Sequence, residues 1–470
     1  MRSKSYVRRV TTTPTDEASE SRLLSPTYAA TTVGMFALCA FVAFEATAIT
    51  TVMPTVAAQL DGVGLYALSF AAPLASGVVG MVAAGGWSDR RGPVVPLALA
   101  LVLFASGLVV CGLAPSMEVL VAGRILQGLG GGALTVCLYV LVGLIFPAAL
   151  QPAIFTSFAA AWVLPTLFGP ALAAYVAHVA GWRWVFLGVV VMVAAAAALV
   201  APALRRLDAR AAGVTTPRSR LVWAVVAAVA VLALEMLGSR RGAVALLMVA
   251  AAAVALIAMA RLVPAGTLAL RRGLPAVIGT RGLLSGAFFC GETYIIFVLQ
   301  ERWGLSAGVA GLALTGVGLS WTAASWLQAR LARTLSDRGA MVIGSVLVLA
   351  GSLGLTTAVV LHVPAPLAVA TYVLAGSGMG LAYPRTSVAM LADSGDSDRG
   401  FNSSALSIAD SLGGALTISA SGVVFAVATR SGGDEFALAI GLGTAVAVLA
   451  VFAASRTGGT GSFGVVADRS

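Results

Sequence analysis

Apolar runs long enough to cross a bilayer recur from about residue 29 to about residue 456, separated only by short polar connections. A helix rises about 1.5 Å per residue, so about 20 mainly apolar residues cross a hydrocarbon core of about 30 Å while satisfying their own backbone. A chain built of such runs is an all-α integral membrane protein. One lysine is present, Lys4, in a polar N-terminal tail with Arg2, Arg8 and Arg9. A nucleotide-binding P-loop needs a lysine on the phosphates. The chain therefore has no P-loop of its own and is expected to use no cofactor, so that uphill movement of a solute would draw on an ion gradient.

The composition agrees, with 59% hydrophobic and 10% charged residues, where a soluble domain would carry about 25% charged. The net charge of +10 is almost wholly arginine. Nucleic-acid binding would need a basic stripe interleaved with aromatics, whereas these arginines fall in alternate loops, the positive-inside pattern of a multi-pass membrane protein. No nucleic-acid partner is expected. Cys39, Cys111, Cys137 and Cys290 each stand alone in an apolar run, which suits packing better than a disulfide or metal site. His178 and His362 are isolated, so no metal site is expected.

Spans are placed near 29 to 56, 63 to 87, 94 to 114, 118 to 146, 151 to 178 and 183 to 204. A loop with Arg205, Arg206, Arg210, Arg218 and Arg220 follows, then two shorter apolar runs near 221 to 238 and 243 to 262. After Arg271 and Arg272 come six more spans, near 275 to 300, 306 to 330, 339 to 361, 364 to 391, 400 to 429 and 434 to 455. The organisation reads as a tail over 1–28, a six-helix bundle over 29–204, a linker with two extra helices over 205–274, a second six-helix bundle over 275–456 and a tail over 457–470. Both tails are expected in the cytoplasm, beneath an inner (plasma) membrane, because that orientation leaves few arginines outside: Arg183, Arg240, Arg241, Arg302 and Arg430. The first 28 residues lack the apolar core of a signal peptide.

The two blocks echo each other. Gly169-Pro170-Ala171-Leu172 in the fifth helix of the first matches Gly413-Gly414-Ala415-Leu416 in the second, and Asp89-Arg90-Arg91-Gly92 after one second helix matches Asp337-Arg338-Gly339 after the other. Both fourth helices are glycine-rich. Parallel repeats of this kind place a binding site between the halves near the bilayer midplane.

Several motifs carry chemistry. Gly85-Gly86-Trp87-Ser88-Asp89-Arg90-Arg91-Gly92 sets an aspartate at a helix end beside arginines, where charge-assisted bonds to a neighbouring helix can latch one of two states. Gly123-Arg124-Ile125-Leu126-Gln127-Gly128 sets an arginine inside an apolar helix, at about 2.5 to 3.5 kcal/mol on insertion scales unless it has a polar partner. Glu45, in Phe44-Glu45-Ala46-Thr47, is a carboxylate in an apolar helix, costly to keep charged and so suited to take up a proton. A static partnership with Arg124 is the alternative. Glu292 lies midway along its helix, and Asp410 lies about 16 Å into its own at 1.5 Å per residue; each could bind protons or a cationic substrate, or be a buried hydrogen-bonded carboxyl. Glu235 is expected to form an interfacial ion pair with Arg240 or Arg241, and Arg385 to snorkel. Gln127, Trp162, Phe288, Phe289 and Tyr294 are candidates to line a permissive cavity.

With its loop, fourth-helix and first-helix motifs, and with Phe168-Gly169-Pro170-Ala171-Leu172 in the fifth helix, the chain resembles the major facilitator superfamily, and within it the fourteen-spanner drug:proton antiporters. The likeness covers nearly all of the chain after the tail. It implies the major facilitator fold, with two six-helix bundles plus two extra linker helices, and a non-enzymatic, monomeric, proton-coupled exporter of amphipathic or lipophilic molecules. On the matching positions, Gly85, Asp89, Arg90 and Gly92 would gate, Gly169 and Pro170 would form the antiporter-like motif, and Glu45 stands where the family has aspartate. Open alternatives are a transporter of a lipid or endogenous metabolite, a membrane enzyme and a non-transporting sensor. An enzyme would want a catalytic histidine or clustered acids at one membrane face, and the sequence offers neither.

Overall fold

The computed structural model describes residues 23–147, 150–205, 218–238, 245–331, 334–395 and 398–458. The helices are α1 Ala29–Gln59, α2 Tyr66–Arg91, α3 Val94–Gly112, α4 Met117–Ile145, α5 Gln151–Val179, α6 Arg183–Leu204, α7 Arg218–Gly238, α8 Ala245–Leu262, α9 Leu274–Trp303, α10 Ala307–Arg330, α11 Asp337–Val360, α12 Ala365–Ala392, α13 Arg399–Ser431 and α14 Glu435–Ser455. Among the described residues thirteen of these fourteen are long and apolar enough to span, the apolar stretch of α8 being shorter. A 3-10 turn, Val63–Leu65, precedes α2.

Helix ends follow local chemistry. Ser306, Ser336 and Asp434 accept from the backbone amides of Val309, Gly339 and Ala437 at the starts of α10, α11 and α14, satisfying donors that a first turn leaves unpaired. Gly92 closes α2 at φ 77° and ψ 166°, a region open only to glycine, and donates to the Ser88 carbonyl at 2.9 Å. That is the physical reason a glycine ends the Asp89 loop motif.

The helices alternate in direction, so α1 starts and α14 ends at one face, the terminal face; the other is the far face. In each bundle the fourth helix sits between the second and third, α4 against α2 and α3, α12 against α10 and α11. Glycines set these approaches: a Cβ on Gly130 would lie 2.7 Å from Phe104 Cα on α3, and one on Gly378 would lie 2.7 Å from the Val348 amide on α11. The first and fifth helices pair likewise, α1 with α5 through Gly169 and Thr47, α9 with α13 through Gly282 and Gly413. The sequence repeat is thus a structural repeat.

Two seams join the bundles, α2 with α13 and α5 with α10. Tyr66 on α2 donates to the Thr293 carbonyl on α9 at 2.7 Å, and Gly311 on α10 is close enough to α5 that an added Cβ would lie 3.4 Å from Pro170. In the far half Tyr66 and Phe70 meet Tyr294, Phe297, Phe425 and Phe436, ring centroids 4.7 to 6.0 Å apart. This aromatic plug ties the bundles together at that end. The extra helix α7 packs on both α2 and α13, with α8 outside it. The pair lies beside the bundles, along one seam.

Candidate functional site

In the first bundle the Arg124 guanidinium on α4 pairs with the Glu45 carboxylate on α1, their side chains 5% and 9% exposed. Arg124 also donates from Nε to the Ser69 carbonyl on α2 at 2.9 Å, and from the Nη1 that meets Glu45 to Gln127 Oε1 at 3.1 Å. Cys111 Sγ on α3 reaches that same Gln127 oxygen at 3.4 Å, while Gln127 Nε2 has no partner. Arg124 thus ties α1, α2 and α4 together. It does not snorkel, and Gln127 is buried as its partner.

The second bundle holds a polar knot of different design. Asp410 on α13 takes the Arg281 Nε of α9 at 2.9 Å, the Tyr383 hydroxyl of α12 at 2.8 Å, and the Ser285 hydroxyl. Arg281 further donates to the Tyr383 carbonyl at 3.1 Å, Thr386 Oγ1 at 2.9 Å and Ser387 Oγ at 3.3 Å, and its guanidinium lies 3.1 Å from the Tyr383 ring centroid. Sequence reasoning singled out Asp410 but passed over Arg281 and Tyr383. The signal was available, since Arg281 stands seven residues inside an apolar span, as costly there as Arg124.

Glu292 is half-buried on α9 with no hydrogen bond or ion pair among the described residues, and Phe289, one turn before it, is half-exposed. Phe288 and Tyr294, by contrast, are each 1% exposed and packed in aromatic contacts, Phe288 with Tyr372 and Trp321, Tyr294 with Tyr66 and Phe425. Trp162 is 48% exposed on α5. The candidate cavity residues therefore do not converge on one surface in this state.

At the terminal face, Gly85 is half-buried and Arg90 and Arg91 are exposed; the Asp89 side chain lies outside the described part. The matching loop of the second bundle is tied by an ion pair. Arg385 on α12 donates to Asp337 at 2.7 Å, and to the side-chain and backbone oxygens of Gln328 at 2.5 and 2.8 Å, joining α10, α11 and α12. Arg385 is 6% exposed; it does not snorkel, because three oxygens meet it inside the bundle. Asp393, just beyond α12, has its carboxyl raised above the ordinary aspartate value by partial burial and by the nearby Asp337 charge.

Glu235 also departs from expectation. It is 3% exposed on α7, turned inward against Gly422 of α13 and Ala67 of α2 rather than to the interface. Arg240 and Arg241 lie outside the described residues.

Residues 35–418 match the Major Facilitator Superfamily. The chain belongs to that superfamily. A probable multidrug-efflux transporter of Mycobacterium tuberculosis is 30% identical to it over 423 residues, 85% of this chain and 87% of the relative. The multidrug transporter protein MdtP of Bacillus subtilis is 24% identical over 83% of this chain and 74% of its own. Among solved structures, a POT family transporter in complex with 5-aminolevulinic acid superposes with a TM-score of 0.69 at 14% identity, covering 92% of this chain and 96% of its own. A D-xylose-proton symporter superposes with a TM-score of 0.61 at 17% identity, covering 90% and 96%. These likenesses extend the shared fold across almost the whole of this superfamily member, a multi-pass membrane transporter.

Proposed function

We propose that this chain is a proton-coupled antiporter that exports amphipathic or lipophilic small molecules by alternating access, as a monomer in the inner (plasma) membrane with its terminal face in the cytoplasm. The observation that carries the reading is the buried Glu45–Arg124 pair. Glu45 has Arg124 as its charged partner, so a proton arriving on the carboxylate removes the attraction holding α1 to α4, while Arg124 keeps its bonds to Ser69 and Gln127. A proton is thereby converted into a change in helix contacts. Asp410 is less suited to this task, because three donors from α9 and α12 hold it in place. The arginine-rich loops at the terminal face support a cytoplasmic orientation, and the names of the relatives from Mycobacterium tuberculosis and Bacillus subtilis support efflux.

The test is transport into inverted vesicles carrying a pH-sensitive dye. A lipophilic compound should dissipate the proton gradient in wild type. Glu45→Gln, which keeps shape and hydrogen bonding but cannot ionise, should bind substrate yet lose uphill accumulation, and Glu45→Asp should retain much of it. Uphill transport by Glu45→Gln with unchanged pH dependence would move coupling to Asp410 or Glu292. Lipids as effective competitors would point to a lipid substrate instead.

A further inference from the structure

Glu235 is an acid buried in an apolar seam. Its carboxylate is buried where α7, α2 and α13 meet, against Ala67 and Gly422, and one oxygen has no hydrogen-bond partner. The Tyr294 hydroxyl of α9 lies within electrostatic reach, beside Ser421 of α13. The facing groups are few. From α2 there is Tyr66, whose hydroxyl is committed to the Thr293 carbonyl; from α9, Tyr294; from α13, only hydroxyls, Ser421 bonded to the Ile418 carbonyl and Ser419 unpartnered. On α7 and α8, Arg220 and Arg261 lie at the terminal-face end, stacked on Phe401 and Trp223, and Arg430 is exposed about two turns beyond Gly422 on α13. No ion pair forms at Glu235 among the described residues.

An ionised carboxylate there would stand buried without a counter-charge among the described residues, an arrangement that proteins avoid by pairing or neutralising the group. Gly422 is in contact with the carboxylate, and a Cβ at that position would overlap it. The site has no room for an organic cation; it has room for a proton. We propose that Glu235 is a second proton site, one that holds a proton while the α2/α13 seam is closed and releases it when the seam opens. Resting on the alternating-access reading, the argument is that α2 and α13 belong to different bundles, so their separation in the far half brings water to a carboxyl that the closed seam keeps dry. Proton binding at Glu235 then favours the closed far half, and the extra helix pair acts as a pH-dependent brake on opening.

The experiment uses the full chain in nanodiscs without substrate, with spin labels at Val63 and Thr429, exposed positions flanking the seam at the far face. In wild type the ratio of open to closed distances should rise with pH, by up to about tenfold per pH unit where one proton is released on opening. Glu235→Gln should remain closed across that range, and Glu235→Asp should restore the dependence. Gly422→Ala, which crowds the carboxyl, should open the seam at all pH values. A pH response in Glu235→Gln equal to wild type, or a wild type with none, overturns the proposal. Because distances are read without substrate, a protein that exports nothing can still pass, and one that exports well can still fail.

Discussion

Substitution at the Asp410 knot gives a quantitative test of the second bundle. Asp410→Asn keeps an oxygen for Arg281 and Ser285 but removes the counter-charge of a guanidinium buried on α9. Breaking a buried pair from one side costs about 3–5 kcal/mol. Arg281 retains three further acceptors and its stacking on Tyr383, the stacking alone contributing about 0.5–2 kcal/mol. The expected loss is therefore about 2 kcal/mol, below that range because these contacts survive the substitution. Arg281→Met strands the carboxylate with only hydroxyl donors, and should cost about 3 kcal/mol. The double variant Arg281→Met/Asp410→Leu removes both charges and leaves the Tyr383 and Ser285 hydroxyls unpaired, about 2 kcal/mol. The two single losses thus exceed the double by about 3 kcal/mol, a coupling characteristic of contacting charges. Unfolding of the purified protein by SDS titration in mixed micelles, followed by tryptophan fluorescence, measures it, since Trp321 lies 5.4 Å from Tyr383. Additivity to within about 0.5 kcal/mol would show the two charges to be independent and refute the knot as a unit.

Gly92→Ala forces a side chain into a glycine-only conformation and should cost about 1–3 kcal/mol in thermal stability, whereas Gly85→Ala, whose new Cβ meets only Val136 at 3.8 Å, should be near neutral; the reverse order would show that the motif ends in glycine for another reason. The raised carboxyl of Asp393 binds its proton more tightly folded than unfolded, so wild type should lose stability as pH climbs out of the acid range through the ordinary aspartate value and up to the raised one. Asp393→Asn should remove that slope in melting curves taken against pH. An unchanged slope would place its origin elsewhere.

The fold was legible because membrane helices announce themselves by length and apolarity, and the span expected near 275 to 300 became Leu274–Trp303. Glu45 and Arg124 were legible as a pair because each is costly alone in an apolar helix and the first and fourth helices of a bundle are neighbours. Arg281 shows the limit of that reasoning. Its partners come from residues 102 to 129 positions away on α12 and α13, and nothing local specifies them. Arg385 and Glu235 were misplaced for one reason: proximity to a helix end was taken as proximity to water, whereas Gln328 and Asp337 cover the one and Ala67 and Gly422 the other. Phe288 and Tyr294 illustrate a further ambiguity, since aromatics at helical spacing fill a cavity wall and a packed core equally well.

The position of α7 makes the molecule lopsided. The α2/α13 seam is walled off by an extra helix pair, while neither extra helix packs on α5 or α10. Leu164, Phe168 and Leu172 of α5, with Leu312, Leu319 and Trp326 of α10, remain exposed on the other side, where acyl chains would surround them. Only one of the two seams between the bundles therefore keeps an unwalled apolar flank toward the bilayer, and Pro165 and Pro170 of α5 lie along it.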